Sequence, residues 1–439
     1  MIRLLVAAVF ATVLAPAPTP ALDAAAIDRM AADVDLPGLS VAVTKDDRVV
    51  LAKGYGHDST GAPLTAATPM RLASVSKSFV AMAVMTLVDA GRIALDAPVA
   101  DQLPEFHPAD PRAERITVRH LLNQTSGLAD ATTDIPRTWE AKSLRDLVGV
   151  LDTATLADDP GRSFHYHNPN YGVAARLVEV AGGQAFDDYL RDHVLTPLGM
   201  WSHDRVADGY VRAYGLWFAR PELPSFEGDL VISSADDMAR WLIAQQGRGP
   251  RVVSAESLRT MHTPPTGEYA MGWGVEVPEQ GHERLSHSGN LFTYTAAQVI
   301  VPETGYGFAV MTNSTALLDS AYELVESLIA LSEGRSPDSG LPLWPTDLGL
   351  GLATLAVAAL GVRGVLRAGR KRTPWRLVPH LLAVVPLLGY PAFVGFLSNG
   401  RTVTWPQLVY VSLPIVVLLA VLALAGTATA TARLVALSR

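Results

Sequence analysis

Ser74-Val75-Ser76-Lys77 begins a run in which Phe79, Val80, Met82, Ala83, Met85 and Leu87 lead to Gly91, and it reads as one apolar helix stopped by glycine. A serine three residues ahead of a lysine at a helix start lies on the same face, one turn away. A lysine in a confined, partly desolvated place gives up its proton more readily and can act as base to a neighbouring hydroxyl. The helix start also offers backbone N–H groups to an oxyanion. Ser-x-x-Lys arises often by chance, so these four residues alone fit an ordinary capped helix with a solvated lysine as well.

Working outward, Leu39–Val43 and Arg48–Lys53 are β-rich runs joined by the turn-prone Lys45-Asp46-Asp47, a hairpin pattern. Tyr294–Val301 and Tyr306–Thr312 form a second such pair around Pro302-Glu303-Thr304-Gly305. Between the pairs lie helical patterns at Val118–Asn123, Tyr171–Ala181, Phe186–Leu195 and Ala235–Gln246, the last with Ser234 or Asp236 as cap. Ala316–Leu331 gives a closing helix. Strands at both ends with helices between them predict an α+β fold, an antiparallel sheet flanked by helices plus a helical subdomain. A doubly wound parallel sheet needs strand and helix to alternate, and they do not.

Two further polar motifs follow the serine. Tyr166-His167-Asn168 lies in a polar loop before a helix, and His287-Ser288-Gly289 lies just before the Tyr294 strand. Ser-x-x-Lys, Tyr-x-Asn and His-x-Gly in this order resemble the three active-site motifs of serine beta-lactamase-related and penicillin-binding proteins. The nearest branch holds class C beta-lactamases, low-molecular-mass D,D-peptidases and related esterases; class A enzymes, with Ser-Asp-Asn second, are less similar. Ile116–Leu128, Pro197–Met200, Tyr269–Gly274 and Val310–Asn313 fit the same resemblance, which covers about residues 30 to 330. It implies Ser74 as acyl-accepting nucleophile, Lys77 as its proton-handling partner and Tyr166 as a second acid/base. Asn168, His287, Gly289 and Asn290 are then substrate-binding, with the N–H groups of Ser74 and Asn290 as oxyanion hole. Histidine replaces the lysine of many relatives at 287, and imidazole is mostly neutral near pH 7, so a fixed cation for an anionic substrate is missing from that motif. His287 is expected to orient Tyr166 and the substrate mainly by hydrogen bonds; if its charged form also binds an anionic substrate, activity toward carboxylates falls as pH rises through the imidazole pKa. His165 and His167 are spaced like a metal pair but lack an evident third ligand, and they read as loop histidines. His120 reads as a packing or hydrogen-bonding residue, and Trp273 as core or pocket wall. No metal or other cofactor is expected.

The ends of the chain differ from its middle. Of 439 residues, all 43 acidic ones lie between Asp23 and Asp347, against 25 basic ones there, a formal charge of −18 that disfavours nucleic acid as partner. From Leu348 onward there is no acidic residue and nine basic ones. Arg3, the apolar Leu4–Leu14 and Thr19-Pro20-Ala21 read as an export signal over residues 1–21. A hydrolase domain over 22–335 and a linker over 336–344 precede a membrane anchor over 345–439. Its spans fall at about 345–366, 377–397 and 407–427, each near the roughly 20 residues that cross a bilayer. Trp344, Trp375 and Trp405 flank them, and Arg363, Arg367, Arg370, Lys371, Arg372 and Arg376 mark the first connecting loop as cytoplasmic. The second connecting loop, with only Arg401, belongs outside, and the C-terminus inside. No disulfide or thiol chemistry is open to a chain without cysteine. The expected partners are the lipid bilayer and a cell-wall-type peptide, beta-lactam or small ester. The alternative is a penicillin- or muropeptide-binding receptor without turnover.

Overall fold

Leu39, Val41 and Val43 point to one side of their strand and Ala42 to the other, and the two sets enter different cores. The computed structural model describes residues 22–221, 231–265, 267–279, 281–316, 320–337, 343–370 and 374–438. The export-signal residues, Lys371, Arg372 and the middle of the linker lie outside these. The main sheet contains β1 (Gly38–Lys45), β2 (Arg48–Gly56), β3 (Gly274–Glu276), β4 (Arg284–Leu291), β5 (Tyr294–Val301) and β6 (Tyr306–Thr312). Their order is β2-β1-β6-β5-β4-β3, antiparallel throughout. The two ends of the domain thus meet at the β1–β6 pair, as the strand order along the sequence requires.

One sheet face, with Leu39, Val41, Val43, Val299, Phe308 and Val310, is covered by α1 (Ala24–Asp33) and α5 (Ser320–Ser332). The other carries Ala42, Ala296 and Ala309, whose short side chains let helices lie close to the sheet. Here sit α2 (Ser76–Asp89) and α4 (Ala235–Gln245), with Phe79 stacked on Trp241 at 3.7 Å. Ser234 caps α4 by accepting from Asp237 N. Phe79, Val80, Met82, Val84, Met85 and Leu87 are all 1% exposed or less, because α2 lies between the sheet and the helical subdomain, where α3 (Pro169–Gly182) packs on it. Burial of each large side chain contributes roughly 1.5–3 kcal/mol, so α2, into which the Ser74 turn leads, is firmly seated.

Three local readings are refined. Ser74 stands in a 3₁₀ turn, Ala73–Val75, ahead of α2 rather than in its first α turn, with Ala73 at a φ of +49°. His287 and Gly289 lie just before the Tyr294 strand, and they themselves belong to a strand, β4. Ser-His-Ser-Gly-Asn has little intrinsic strand preference, and pairing with β5 imposes the extended form. The third apolar stretch is split into two helices, Trp405–Val411 and Leu413–Ser438, rather than continuous from 407.

The C-terminal region holds α6 (Leu343–Leu366), α7 (Val385–Leu397), α8 (Trp405–Val411) and α9 (Leu413–Ser438). Helical segments at Leu343–Leu366, Trp375–Leu397 and Leu413–Ser438 are long and apolar enough to cross a membrane, with mean hydropathies of 1.8, 1.8 and 2.3. The chain breaks at Ser412 because Pro414 has no N–H to continue the ladder and its ring would meet the carbonyl of Tyr410.

Candidate active site

Lys77 Nζ donates to Ser74 Oγ at 3.1 Å, and Lys77 is only 4% exposed. The ammonium lies 4.9 Å from the Tyr166 ring centroid and 5.7 Å from that of Tyr171, so two aromatic faces wall it in. What fixes the serine is the backbone around it. Ser78 Oγ donates to Val75 O and accepts from Gln298 Nε2 of β5, while Gln298 Oε1 accepts from Trp241 Nε1. On the other side Gly272, at a φ of +79°, brings its loop so near α2 that a Cβ there would stand 2.5 Å from Ser78 N.

Tyr166 is held by the Gln124–Leu128 stretch. His165 N donates to Gln124 O, His167 N to Gln124 Oε1, and Asn170 Nδ2 to the same oxygen at 2.7 Å. Asn168 is the residue before α3, and Pro169 starts that helix where a missing N–H does no harm. The third motif closes the site from the sheet. A Cβ on Gly289 would collide with Leu72 O and stand 2.9 Å from Ser74 N, so only glycine lets β4 pass this near the serine. β3 pairs with β4 only through Ser286, and among the described residues no strand covers that edge beyond it. From His287 to Asn290 that edge of β4 is therefore unpaired by any described strand.

His287 is buried and both its ring nitrogens are engaged. Nδ1 lies 2.7 Å from Ser288 O, which can only accept, so Nδ1 carries the proton. Nε2 then accepts from Tyr269 O–H at 3.0 Å. Burial, and secondarily the nearby Lys77 charge, push the imidazole down to about 3 despite the Ser288 carbonyl. Burial and the Lys77 charge thus disfavour a cationic His287, and both its ring nitrogens are taken up by Ser288 O and the Tyr269 hydroxyl. Burial, with the neighbouring Tyr171 and Tyr166 hydroxyls, holds Tyr269 well above the usual phenol range, so it stays a donor.

A family model described as Beta-lactamase matches residues 24–327. The chain belongs to the beta-lactamase family. Penicillin-binding protein 4 of Amycolatopsis lactamdurans is 32% identical over 356 residues, covering 72% of this chain and 91% of that protein. Protein flp of Staphylococcus aureus (strain MW2) is 28% identical over 67% of this chain, and this chain spans 62% of its length. Among solved structures, the octameric penicillin-binding protein homologue from Pyrococcus abyssi superposes with a TM-score of 0.60 at 26% identity, covering 74% of this chain and 80% of that one. D-amino acid amidase from Ochrobactrum anthropi SV3 does so at 0.59 and 25%, covering 70% and 96%.

Within this beta-lactamase-family domain Ser74, Lys77, Tyr166, His287 and Gly289 converge, while the exposed Asn290 turns its side chain to Thr315 Oγ1 at 3.4 Å. Asn168 stands at the N-terminal boundary of α3, two residues after Tyr166. Tyr269 went unassigned by sequence reasoning, although its Tyr269–Gly274 stretch stood out. His167 lies in the loop before α3 but is fully buried there, with Nδ1 2.9 Å from Asp130 Oδ1. His165 pairs with Asp158 at 2.7 Å. Among the described residues no three His, Cys, Asp or Glu side chains converge as a metal site.

Proposed function

We propose that the chain is a membrane-anchored serine hydrolase working through an ester on Ser74. The observation that carries this reading is the 3.1 Å contact of Lys77 Nζ with Ser74 Oγ beneath the Tyr166 ring. Ser74 Oγ attacks the acyl carbon while its proton passes to the Lys77–Tyr166 pair, which receives it in the form that holds one proton fewer, as neutral amine or phenolate. The N–H groups of Ser74 and Asn290 receive the carbonyl oxygen as it becomes an oxyanion. The proton returns to the leaving amine or alcohol as the tetrahedral species collapses. Water then attacks the ester by the same groups in reverse, giving the acid and free Ser74. The open β4 edge suits an extended peptide-like acyl donor, which pairs there as an added strand. Amidase and penicillin-binding relatives fit a D-peptide, beta-lactam or small-ester substrate.

Anchoring is supported by how the helices meet the domain. Arg212 binds Asp347 at the start of α6, Tyr214 O–H reaches Pro414 O at the start of α9, and Arg367 lies at the far end of α6. A 24-residue helix is about 36 Å long, enough to cross a bilayer. The hydrolase domain is placed outside and the Arg363–Arg376 loop inside.

A fluorophosphonate or fluorescent penicillin labels wild type. Ser74→Ala abolishes labelling, whereas Ser76→Ala, with Phe79 rather than lysine three residues on, weakens it far less. Equal loss in both variants removes Ser74 from the role.

A further inference from the structure

The loop between the second and third apolar helices, residues 398–404, does not stand clear of the catalytic domain. Arg401 lies with its guanidinium carbon 4.9 Å from the centroid of the Tyr166 ring, the same distance as Lys77 Nζ. Its Nε donates to Asp130 Oδ2 at 2.7 Å, and Thr402 N donates to the same oxygen at 3.0 Å. Asp130, 1% exposed at its side chain, is braced from behind by His167. Burial opposes its charge, but His167 and Arg401 together hold its carboxyl below the usual range. The Arg401 side chain keeps 27% of its exposure, and among the described residues its two terminal nitrogens donate to no protein acceptor.

A second contact fastens the same segment. Tyr410 on α8 joins Ala73, Leu291 and Phe292 in one apolar cluster, its ring 5.6 Å from that of Phe292. Its hydroxyl donates to Pro221 O at 2.7 Å. The apolar C-terminal region thus packs behind the residue preceding Ser74 and at the end of β4.

An anionic substrate needs a donor in this cleft. His287 has none left, since Nδ1–H goes to Ser288 O and Nε2 accepts from Tyr269. Lys77 is committed to Ser74. Arg401 has a fixed charge, a rim position and a free two-nitrogen fork of the kind that grips a carboxylate. We propose that Arg401 is the cation that receives a carboxylate on the substrate, so that loop 398–404 is a wall of the active site. This rests on the serine-hydrolase reading above, and it makes the catalytic unit the whole chain rather than the N-terminal domain alone.

The test uses the full chain in lipid nanodiscs. The probes are a D-alanyl thioester ending in a free carboxylate and the same thioester ending in a carboxamide. Wild type prefers the acid. Arg401→Ala lowers the acid-to-amide ratio of kcat/KM roughly ten- to a hundredfold, the loss of a charge-assisted pair. Arg401→Lys regains part of it, keeping charge but not the fork. Binding constants for both probes in a Ser74→Ala background follow the same ratio without any chemistry. A wild type indifferent to the carboxylate, or an Arg401→Ala ratio unchanged while both rates fall together, overturns the proposal and leaves Arg401 a clamp for Tyr166. Absence of thioester turnover in wild type defeats the hydrolase reading instead, and the binding ratio then decides Arg401 by itself.

Discussion

Replacing Tyr269 by phenylalanine removes one oxygen from a buried site and leaves its ring packing, 5.8 Å from His287 and 6.3 Å from Tyr166, in place. The hydroxyl is the donor to His287 Nε2 at 3.0 Å, and with it gone a buried acceptor has no partner. Orphaning such a group costs about 1–3 kcal/mol. For a domain of this size that lowers Tm by about 2–10 °C. The imidazole then has only its Ser288 bond to fix its plane, and it slips against Tyr166. If the full energy appears in the transition state, kcat/KM falls about 5- to 150-fold. A purely structural role would not set the pH dependence of that loss, and here it is defined. His287, pushed down to about 3, and Tyr269, held well above the phenol range, both keep one protonation state between about pH 5.5 and 9. The ratio of wild-type to Tyr269→Phe kcat/KM is therefore flat across that range. The assay is thioester hydrolysis at half-unit pH steps, with thermal unfolding of both proteins alongside. A ratio that changes across pH 6.5, or a wild-type inflection there that His287→Gln removes, refutes the assignment of His287 as a neutral hydrogen-bonding group.

Gly289→Ala drives a methyl into Leu72 O and Ser74 N, and it abolishes Ser74 labelling while circular dichroism keeps the native signature; normal labelling contradicts the close approach. His287 and His262, the latter lowered by burial to about 4, take up protons on unfolding at pH values where the folded chain does not. Stability therefore falls as pH drops from about 6.5 toward 4, and His262→Gln shows a shallower fall in urea titrations; an equal slope contradicts the argument. A reporter fused after Arg439 is active only as a cytoplasmic marker, and activity of an export-dependent reporter there defeats the three-span arrangement.

The three motifs were legible because each is short and carries its chemistry locally: hydroxyl and amine one turn apart, a tyrosine before a helix, a glycine where a strand must pass close. The antiparallel sheet was legible from Leu39–Val43 and Tyr294–Val301, whose composition favours strands. β4 was not, since Ser286-His287-Ser288-Gly289-Asn290 is extended only through pairing with β5. Tyr269 and Asp130 reach the site through long-range packing, 18 residues from His287 and 37 from His167, and no local pattern announces either. Arg401 read as a lone loop charge because a separation of 271 positions from Asp130 hides their pairing. The start of the last helix was misplaced for a plainer reason: hydropathy rises through Tyr410, but the backbone cannot carry a helix through Pro414.

The central claim is that Ser74 carries the acyl group. Quenching the full chain in acid during thioester turnover, then digesting and sequencing peptides by tandem mass spectrometry, locates the adduct directly. The account predicts the acyl mass on Ser74 in wild type and none anywhere in Ser74→Ala. An adduct on Ser76, on another residue, or persisting in the Ser74→Ala protein would contradict it.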